Sequence, residues 1–169
     1  SAALGAWLQS KGLPVGARVA IMLPNVPQFL VSMAAILRAG YTVVNVNPLY
    51  TARELEHQLK DSGAEAIVIL ENFAGTLEEI IDHTAIQHVV VASLGDLLGF
   101  WYGRWISFAV RHLAKMVPPF KLPLSGPLGP RTIVGFKQAL KEGGERALKP
   151  SQAALDSTAF LQYTGGTTG

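Results

Sequence analysis

The residues best suited to chemistry form a run at the carboxyl end of the chain: Thr164, Gly165, Gly166, Thr167, Thr168 and Gly169. Glycine lets the backbone adopt positive φ angles and turn its N–H groups toward an anion without interference from a Cβ atom. Threonine hydroxyls add further hydrogen-bond donors. The spacing differs from that of a Walker A loop, which places a lysine directly after its last glycine. The composition suits a phosphate-binding loop, but composition alone would also suit a tight turn.

Alternating helix and strand patterns predict the scaffold that precedes this run. Apolar, β-branched segments predict buried strands at residues 18–23, 42–46, 66–70 and 88–92. The segments between and before them predict helices at residues 2–11, 27–39, 52–61 and 73–82, with Asn25 capping the second and a Thr51–Glu54 capping box opening the third. Such alternation is typical of βαβ units. We therefore expect an α/β fold with a mostly parallel sheet and helices on both faces.

The second half of the chain is less regular. Residues 97–131 are basic, aromatic and proline-rich, and residues 118–130 are expected to form a loop or an extended segment. A short basic helix is predicted at residues 134–141, followed by a connector at 147–157. A last strand at residues 158–163 then leads directly into the glycine-rich run.

Two separate motifs resemble the adenylate-forming superfamily, which includes acyl-CoA synthetases, luciferases and peptide-synthetase adenylation domains. The stretch Tyr163-Thr-Gly-Gly-Thr-Thr-Gly169 resembles the family's signature loop, which in the family continues to a lysine, and residues 37–59 resemble its upstream core motif. The sequence Val46-Asn-Pro-Leu-Tyr50 is typical of bacterial long-chain fatty acid ligases. Residues 61–64 and 160–163 also resemble that subgroup.

The resemblance implies a two-step reaction. A carboxylate attacks the α-phosphate of ATP, pyrophosphate leaves, and the thiol of coenzyme A intercepts the acyl-adenylate. ATP, Mg²⁺ and coenzyme A are the implied cosubstrates and cofactors, and a long-chain fatty acid is the implied substrate. Residues 1–169 would form part of the large amino-terminal AMP-binding domain, without the carboxy-terminal domain. Thr164 to Gly169 would bind the β- and γ-phosphates and provide loop flexibility, with no catalytic residue or metal ligand inside this chain, so we expect the isolated fragment to be inactive.

Residues 97–141 hold seven basic and no acidic residues, whereas the rest of the chain holds seven basic and all 12 acidic residues. A helical wheel of residues 101–117 puts the aromatic residues on one apolar arc with basic residues beside it. That pattern suits an interfacial helix on an anionic membrane, through Trp101, Arg104, Trp105, Arg111 and Lys115. It also suits an ordinary amphipathic helix packed on the sheet, which is the more common origin of such a stripe. The basic residues argue against a membrane span.

Other function classes find less support. The chain contains no cysteine, which excludes a disulfide scaffold, a zinc-thiolate site and a cysteine nucleophile within it. The four histidines, His57, His83, His88 and His112, lack metal-ligand spacing. Nucleic-acid binding is disfavoured because the aromatic residues do not interleave with the basic ones. The alternatives left open are a ligase for medium-chain or aryl acids and a non-catalytic nucleotide- or lipid-binding module.

The start at Ser1 and the end inside the glycine-rich run indicate a piece of a longer protein. No signal peptide pattern follows Ser1. From the resemblance we expect a cytoplasmic enzyme, peripheral at the inner face of the membrane. An exposed sheet edge in such a piece would favour association, and a homodimer is compatible with this expectation.

Overall fold

A computed structural model describes residues 1–97 and 117–163. Its strands, in chain order, are β1 Arg18–Met22, β2 Thr42–Asn45, β3 Ala66–Leu70, β4 His88–Ala92, β5 Ser125–Gly126, β6 Gly129–Pro130, β7 Thr132–Gly135 and β8 Phe160–Gln162. Six of them form one sheet in the order β7-β4-β3-β1-β2-β8, and every pairing in it is parallel. The short strands β5 and β6 form a separate antiparallel hairpin.

Helices cover both faces of the sheet, as the sequence predicts. They are α1 Ala2–Gln9, α2 Pro27–Arg38, α3 Ala52–Ser62, α4 Ala74–Glu78 and α5 Phe136–Gly144. Successive residues of a strand point to opposite faces. Accordingly, Val19 and Ile21 of β1 belong to the core beneath α1, α2 and α5, whereas Ala20 and Met22 belong to the core beneath α3. The central strands are therefore buried on both sides, which explains their continuous apolar sequences.

Helix α3 has the clearest local signals. The Thr51 hydroxyl accepts a hydrogen bond from the Glu54 N–H, and the Glu54 carboxylate accepts one from the Thr51 N–H at 2.8 Å, so the predicted capping box is confirmed. The helix ends at Gly63, whose φ of 62° is in the left-handed region that favours glycine. Leu55 and Leu59 are fully buried against the sheet. Both ends and one face of this helix are thus fixed.

Three expectations were wrong in detail. Helix α2 is capped by Val26 without a side-chain hydrogen bond, rather than by Asn25. The helix expected at residues 73–82 is divided into α4 and two 3₁₀ turns, Glu71–Phe73 and Ile81–His83. The helix expected at residues 134–141 begins two residues later, because Val134 belongs to β7 and pairs with Val90 of β4. In this last case long-range strand pairing overrides the local helical pattern.

Arg131, a residue only 8% exposed, ties the hairpin to the connection that precedes β4. Its guanidinium donates to the Asp82 carboxylate at 2.7 Å. It also donates to the backbone carbonyl oxygens of Ile86, Ser125 and Ile81 at 3.2, 3.2 and 3.3 Å. The proline-rich segment therefore ends in an ordered anchor. The predicted interfacial helix lies almost wholly within residues 98–116, outside the described residues.

Candidate functional site

The glycine-rich run follows a strand end at the carboxyl edge of the sheet. Strand β8 pairs in parallel with β2, and Gln162 lies opposite Asn45. Tyr163 comes next and is the last described residue before the run, so the predicted loop residues Thr164 to Gly169 themselves lie outside the described residues. Ligands of open α/β sheets bind at the carboxyl ends of the strands. β8 therefore ends at the edge of the sheet where a phosphate site is expected, directly before the run.

Tyr163 is held by helix α3. Its phenol donates a hydrogen bond to the Oδ2 atom of Asp61, a residue distant in sequence, and its ring packs against the core beneath α3. Burial, and then the hydrogen bond to the Asp61 carboxylate, raise the pKa of Tyr163 to about 12. Both effects favour the neutral phenol. Tyr163 therefore remains protonated, as a donor, at physiological pH.

Two further side-chain bonds connect α3, β2 and β8 at the same edge. The Gln58 amide of α3 donates to the backbone carbonyl of Asn45 at 2.7 Å. The Asn45 amide donates in turn to the Gln162 side-chain oxygen at 2.7 Å. Directly after β2, the Asn47 Oδ1 atom accepts the Leu49 N–H at 3.0 Å and so fixes the turn that follows the strand.

A second polar group occupies the carboxyl edge on the other half of the sheet. The Gln28 amide donates to the Ser93 carbonyl at 2.8 Å, and the Ser93 hydroxyl donates to Glu71 at 2.8 Å. The Asp96 carboxylate accepts the Ser93 N–H at 2.7 Å and lies 3.8 Å from the Lys137 amine. Burial raises the pKa of Asp96. Glu71, Ser93, Asp96 and Lys137 line a cavity of about 230 Å³. The sequence analysis missed this group, although Glu71 follows β3 directly.

Another cavity lies at the amino edge of the sheet. It has a volume of about 550 Å³ and is lined by Arg18, Tyr41 and Thr42 at the amino ends of β1 and β2, and by residues of the connector such as Leu155. Burial, and then the charge of Glu65, raise the pKa of Tyr41. This cavity is therefore separate from the carboxyl edge of the sheet, where β8 ends.

Within residues 1–97 and 117–163, no group of three His, Asp or Glu side chains could hold a metal ion. In the same ranges no helix is long and apolar enough to cross a membrane. The residues of the membrane hypothesis, Trp101, Arg104, Trp105, Arg111 and Lys115, lie outside these ranges.

Comparison with known proteins identifies the family of this scaffold. The family profile described as "AMP-binding enzyme" matches residues 1–169. The chain is 48% identical over 170 residues to the long-chain-fatty-acid–CoA ligase of Escherichia coli O157:H7, covering 100% of this chain and 29% of that protein. It is 34% identical over 167 residues to the long-chain-fatty-acid–CoA ligase of Bacillus subtilis (strain 168), covering 98% of this chain and 28% of that one.

Solved structures share the fold at lower identity. The long-chain-fatty-acid–CoA ligase from Archaeoglobus fulgidus matches with a TM-score of 0.68 and 22% identity, over 99% of this chain and 26% of that one. The adenylation domain of a carboxylate reductase from Mycobacterium chelonae matches with a TM-score of 0.71 and 19% identity, over 98% of this chain and 24% of that one. At these identities the likeness shows the α/β architecture alone.

Proposed function

Because the chain belongs to the AMP-binding enzyme family, we propose that it is the amino-terminal part of an AMP-forming long-chain fatty acid–CoA ligase. The observation that carries this proposal is the 48% identity, which extends over the whole chain, to a relative of that name. The chain spans 29% of the length of that relative. The activity is therefore proposed for the full-length protein, and the fragment alone is expected to be inactive.

The proposed reaction joins a fatty acid to AMP and then to coenzyme A. The acid's carboxylate attacks the α-phosphate of ATP, and the bond to pyrophosphate breaks. The thiolate of coenzyme A then attacks the acyl carbonyl of the acyl-adenylate, and AMP leaves. In this scheme Thr164 to Gly169 bind the β- and γ-phosphates of ATP through backbone N–H groups and hydroxyls, which stabilise the negative charge that develops on the leaving pyrophosphate.

Magnesium is expected to accompany ATP as its counterion, where it would neutralise phosphate charge. The described residues offer no cluster of three metal ligands, and we assign no magnesium ligand to this chain. Residues 1–169 are proposed as part of the AMP-binding domain, residues 97–131 as an insertion in it, and the carboxy-terminal domain as lying beyond this chain.

The test is acid-dependent exchange of pyrophosphate into ATP by the full-length protein, with acetate, palmitate and an aryl acid compared. Exchange that is strongest with palmitate supports the proposal. Exchange only with shorter or aryl acids would keep the adenylation chemistry but refute the fatty acid assignment. A lack of exchange with every acid would favour a non-catalytic nucleotide-binding module.

A loop variant tests the phosphate assignment. Replacing Thr167 by valine removes one hydroxyl donor with little change in shape. Loss of a hydrogen bond to a charged group costs about 1.5–3 kcal/mol, so we expect the KM for ATP to rise at least about tenfold. Thr158→Val is the matched control, since Thr158 is exposed and precedes β8. Equal KM values for the two variants would contradict a phosphate contact by Thr167.

We further propose that the protein is cytoplasmic and binds the inner face of the membrane peripherally, through Trp101, Arg104, Trp105, Arg111 and Lys115. The support is the pairing of aromatic and basic residues along this segment, which suits an anionic bilayer surface. Sedimentation with vesicles of anionic and of neutral phospholipid tests it. Replacing Trp105 and Arg111 by alanine should abolish binding to the anionic vesicles. Unchanged binding would favour the alternative, a helix packed on the sheet.

A homodimer of the full-length protein is a related proposal. Among the described strands β8 pairs only with β2, and Phe160 on β8 is 41% exposed. Such an edge favours association with another chain or segment. Sedimentation equilibrium of the full-length protein distinguishes a dimer from a monomer.

A further inference from the structure

We propose that Asp61 is a positioning residue for ATP binding. It would act through Tyr163, the residue directly before the glycine-rich run. The inference rests on the proposed function, since it takes the run to be the phosphate-binding loop. Asp61 would not touch the nucleotide. It would hold the residue from which the loop starts.

The contact joins two distant parts of the chain. Asp61 lies near the end of α3, whereas Tyr163 lies 102 residues later, directly before Thr164. No local turn or cap accounts for a bond across that separation. Tertiary packing alone places the phenol on this carboxylate, so the bond constrains where β8 ends relative to α3.

Helix α3 is well suited to act as the fixed side of this contact. Its start is closed by the capping box of Thr51 and Glu54, and its end by the left-handed Gly63. Its buried residues Leu55 and Leu59 are fully enclosed in the core. A side chain presented by such a helix is held more firmly than one presented by a loop.

A second connection runs parallel to the first. The Gln58 amide holds the Asn45 carbonyl, and the Asn45 amide holds the Gln162 side chain, both at 2.7 Å. The last two described residues before the run, Gln162 and Tyr163, are therefore both linked to α3, one through β2 and one directly. Two links on neighbouring residues restrict both the rotation and the displacement of the backbone at Gln162 and Tyr163, from which the loop starts.

The expected consequence is pre-organisation. A loop that starts from a fixed residue loses less conformational freedom when it binds an anion, so the binding of the anion is tighter. Loss of the Asp61 contact should weaken ATP binding while leaving the binding of fatty acid unchanged. A general loss of structure would affect both substrates.

The experiment compares full-length variants Asp61→Ala, Asp61→Asn and Tyr163→Phe, with Glu56→Gln as the matched control on the same helix. Glu56 pairs with Lys60 and His83 rather than with Tyr163. Calorimetry with Mg-ATP gives the Kd, and exchange assays give kcat and the two KM values. We expect Asp61→Ala and Tyr163→Phe to raise the Kd and KM for ATP by about three- to tenfold, as loss of one hydrogen bond allows.

The remaining variants identify the cause. Asp61→Asn keeps an oxygen acceptor for the phenol and should restore most of the affinity. The double variant Asp61→Ala, Tyr163→Phe should be no weaker than either single one, since both remove the same bond. Glu56→Gln should leave both KM values unchanged. An effect on fatty acid KM equal to that on ATP KM would indicate a merely structural role and overturn the proposal.

A titration tests the contact independently of activity. The pKa of Tyr163, raised to about 12 by burial and then by Asp61, should fall in Asp61→Ala but stay above that of free tyrosine, because burial remains; the ultraviolet difference spectrum against Tyr163→Phe measures it. If no acid supports exchange, the proposed function fails, yet the Kd for ATP still decides this inference. A Kd unchanged within twofold in Asp61→Ala would overturn it.

Discussion

Two adjacent glycines of helix α5, Gly143 and Gly144, should respond in opposite ways to the same substitution. A Cβ atom on Gly143 would lie 1.9 Å from the backbone oxygen of Ala3 and 3.0 Å from the Cβ atom of Trp7, both in α1. A Cβ atom on Gly144 would have no neighbour within 4 Å. Ordinary contacts begin at 3.4 Å, so Gly143→Ala requires a separation of about 1.5 Å between α1 and α5 at this point.

The loss of stability in Gly143→Ala depends on whether the obstructing atoms of α1 can move aside. The obstructing atom belongs to the backbone of α1, and Trp7 is fully buried with its Nε1 donating to Glu142 at 2.9 Å. Neither group can rotate away. Overpacking of this kind costs up to about 3 kcal/mol, and the better helix propensity of alanine offsets about 1 kcal/mol. Gly143→Ala should therefore destabilise the protein by about 2 kcal/mol, whereas Gly144→Ala should be neutral or stabilise it by about 0.5 kcal/mol.

Urea unfolding of the full-length variants measures this difference. Amide hydrogen exchange of α1 and α5 then locates the effect, since protection should fall in both helices of Gly143→Ala and in neither helix of Gly144→Ala. Equal midpoints for the two variants would refute the close approach of α1 and α5. So would a loss of protection in Gly143→Ala that is confined to α5.

Other outcomes test separate parts of the fold. Arg131→Met should cost about 3 kcal/mol, because it leaves buried carbonyls without a donor, whereas Asp82→Asn should cost less than about 1 kcal/mol, since the Asp82 side chain is 56% exposed; urea midpoints compare the two. Burial lowers the pKa of His88. Its neutral form is favoured in the folded state, so the associated stability is complete above about pH 6.5 and is lost as pH falls through the depressed pKa. Unfolding midpoints measured across this range should vary less in His88→Gln. Thr51→Ala removes half of the capping box and should cost about 1 kcal/mol in thermal unfolding; no change would mean that Glu54 alone caps the helix.

The sequence predicted the strands that are mostly buried: β3 is buried at all five positions and β4 at three of five. The predicted bounds of β3 and β4 agree with the structure, because an unbroken apolar run has no other stable place than a strand covered on both sides. β7 was missed because its pattern is weaker. Residues Thr132 to Gly135 are only partly buried or exposed, and the apolar Val134 also fits the helical spacing of the residues that follow. Pairing with β4, which local sequence does not encode, decides between the two.

The candidate site shows the same division. The glycine-rich run could be proposed as a phosphate-binding loop from local sequence, because phosphate binding by a loop depends on backbone freedom that glycine supplies. The role proposed for Asp61 could not be predicted in this way, since a carboxylate near a helix end is usually a solvated residue and its partner lies 102 residues away. Contacts between elements that are distant in sequence require the strand order, which the alternation of helices and strands leaves undetermined.

The strand order also separates β7 and β8, the strands that lie next in sequence to the segments of the two proposed activities. The basic, aromatic segment leads into β7, at one edge of the sheet, whereas the glycine-rich run leaves β8 at the other edge. Neighbouring strands lie about 4.8 Å apart, so five intervals place these edges about 24 Å from each other. Replacing Trp105 and Arg111 by alanine should therefore reduce vesicle binding without changing the Kd for ATP. An equal loss of both in the full-length protein would show that the segment contributes to the nucleotide site, contrary to the separation inferred from the sheet.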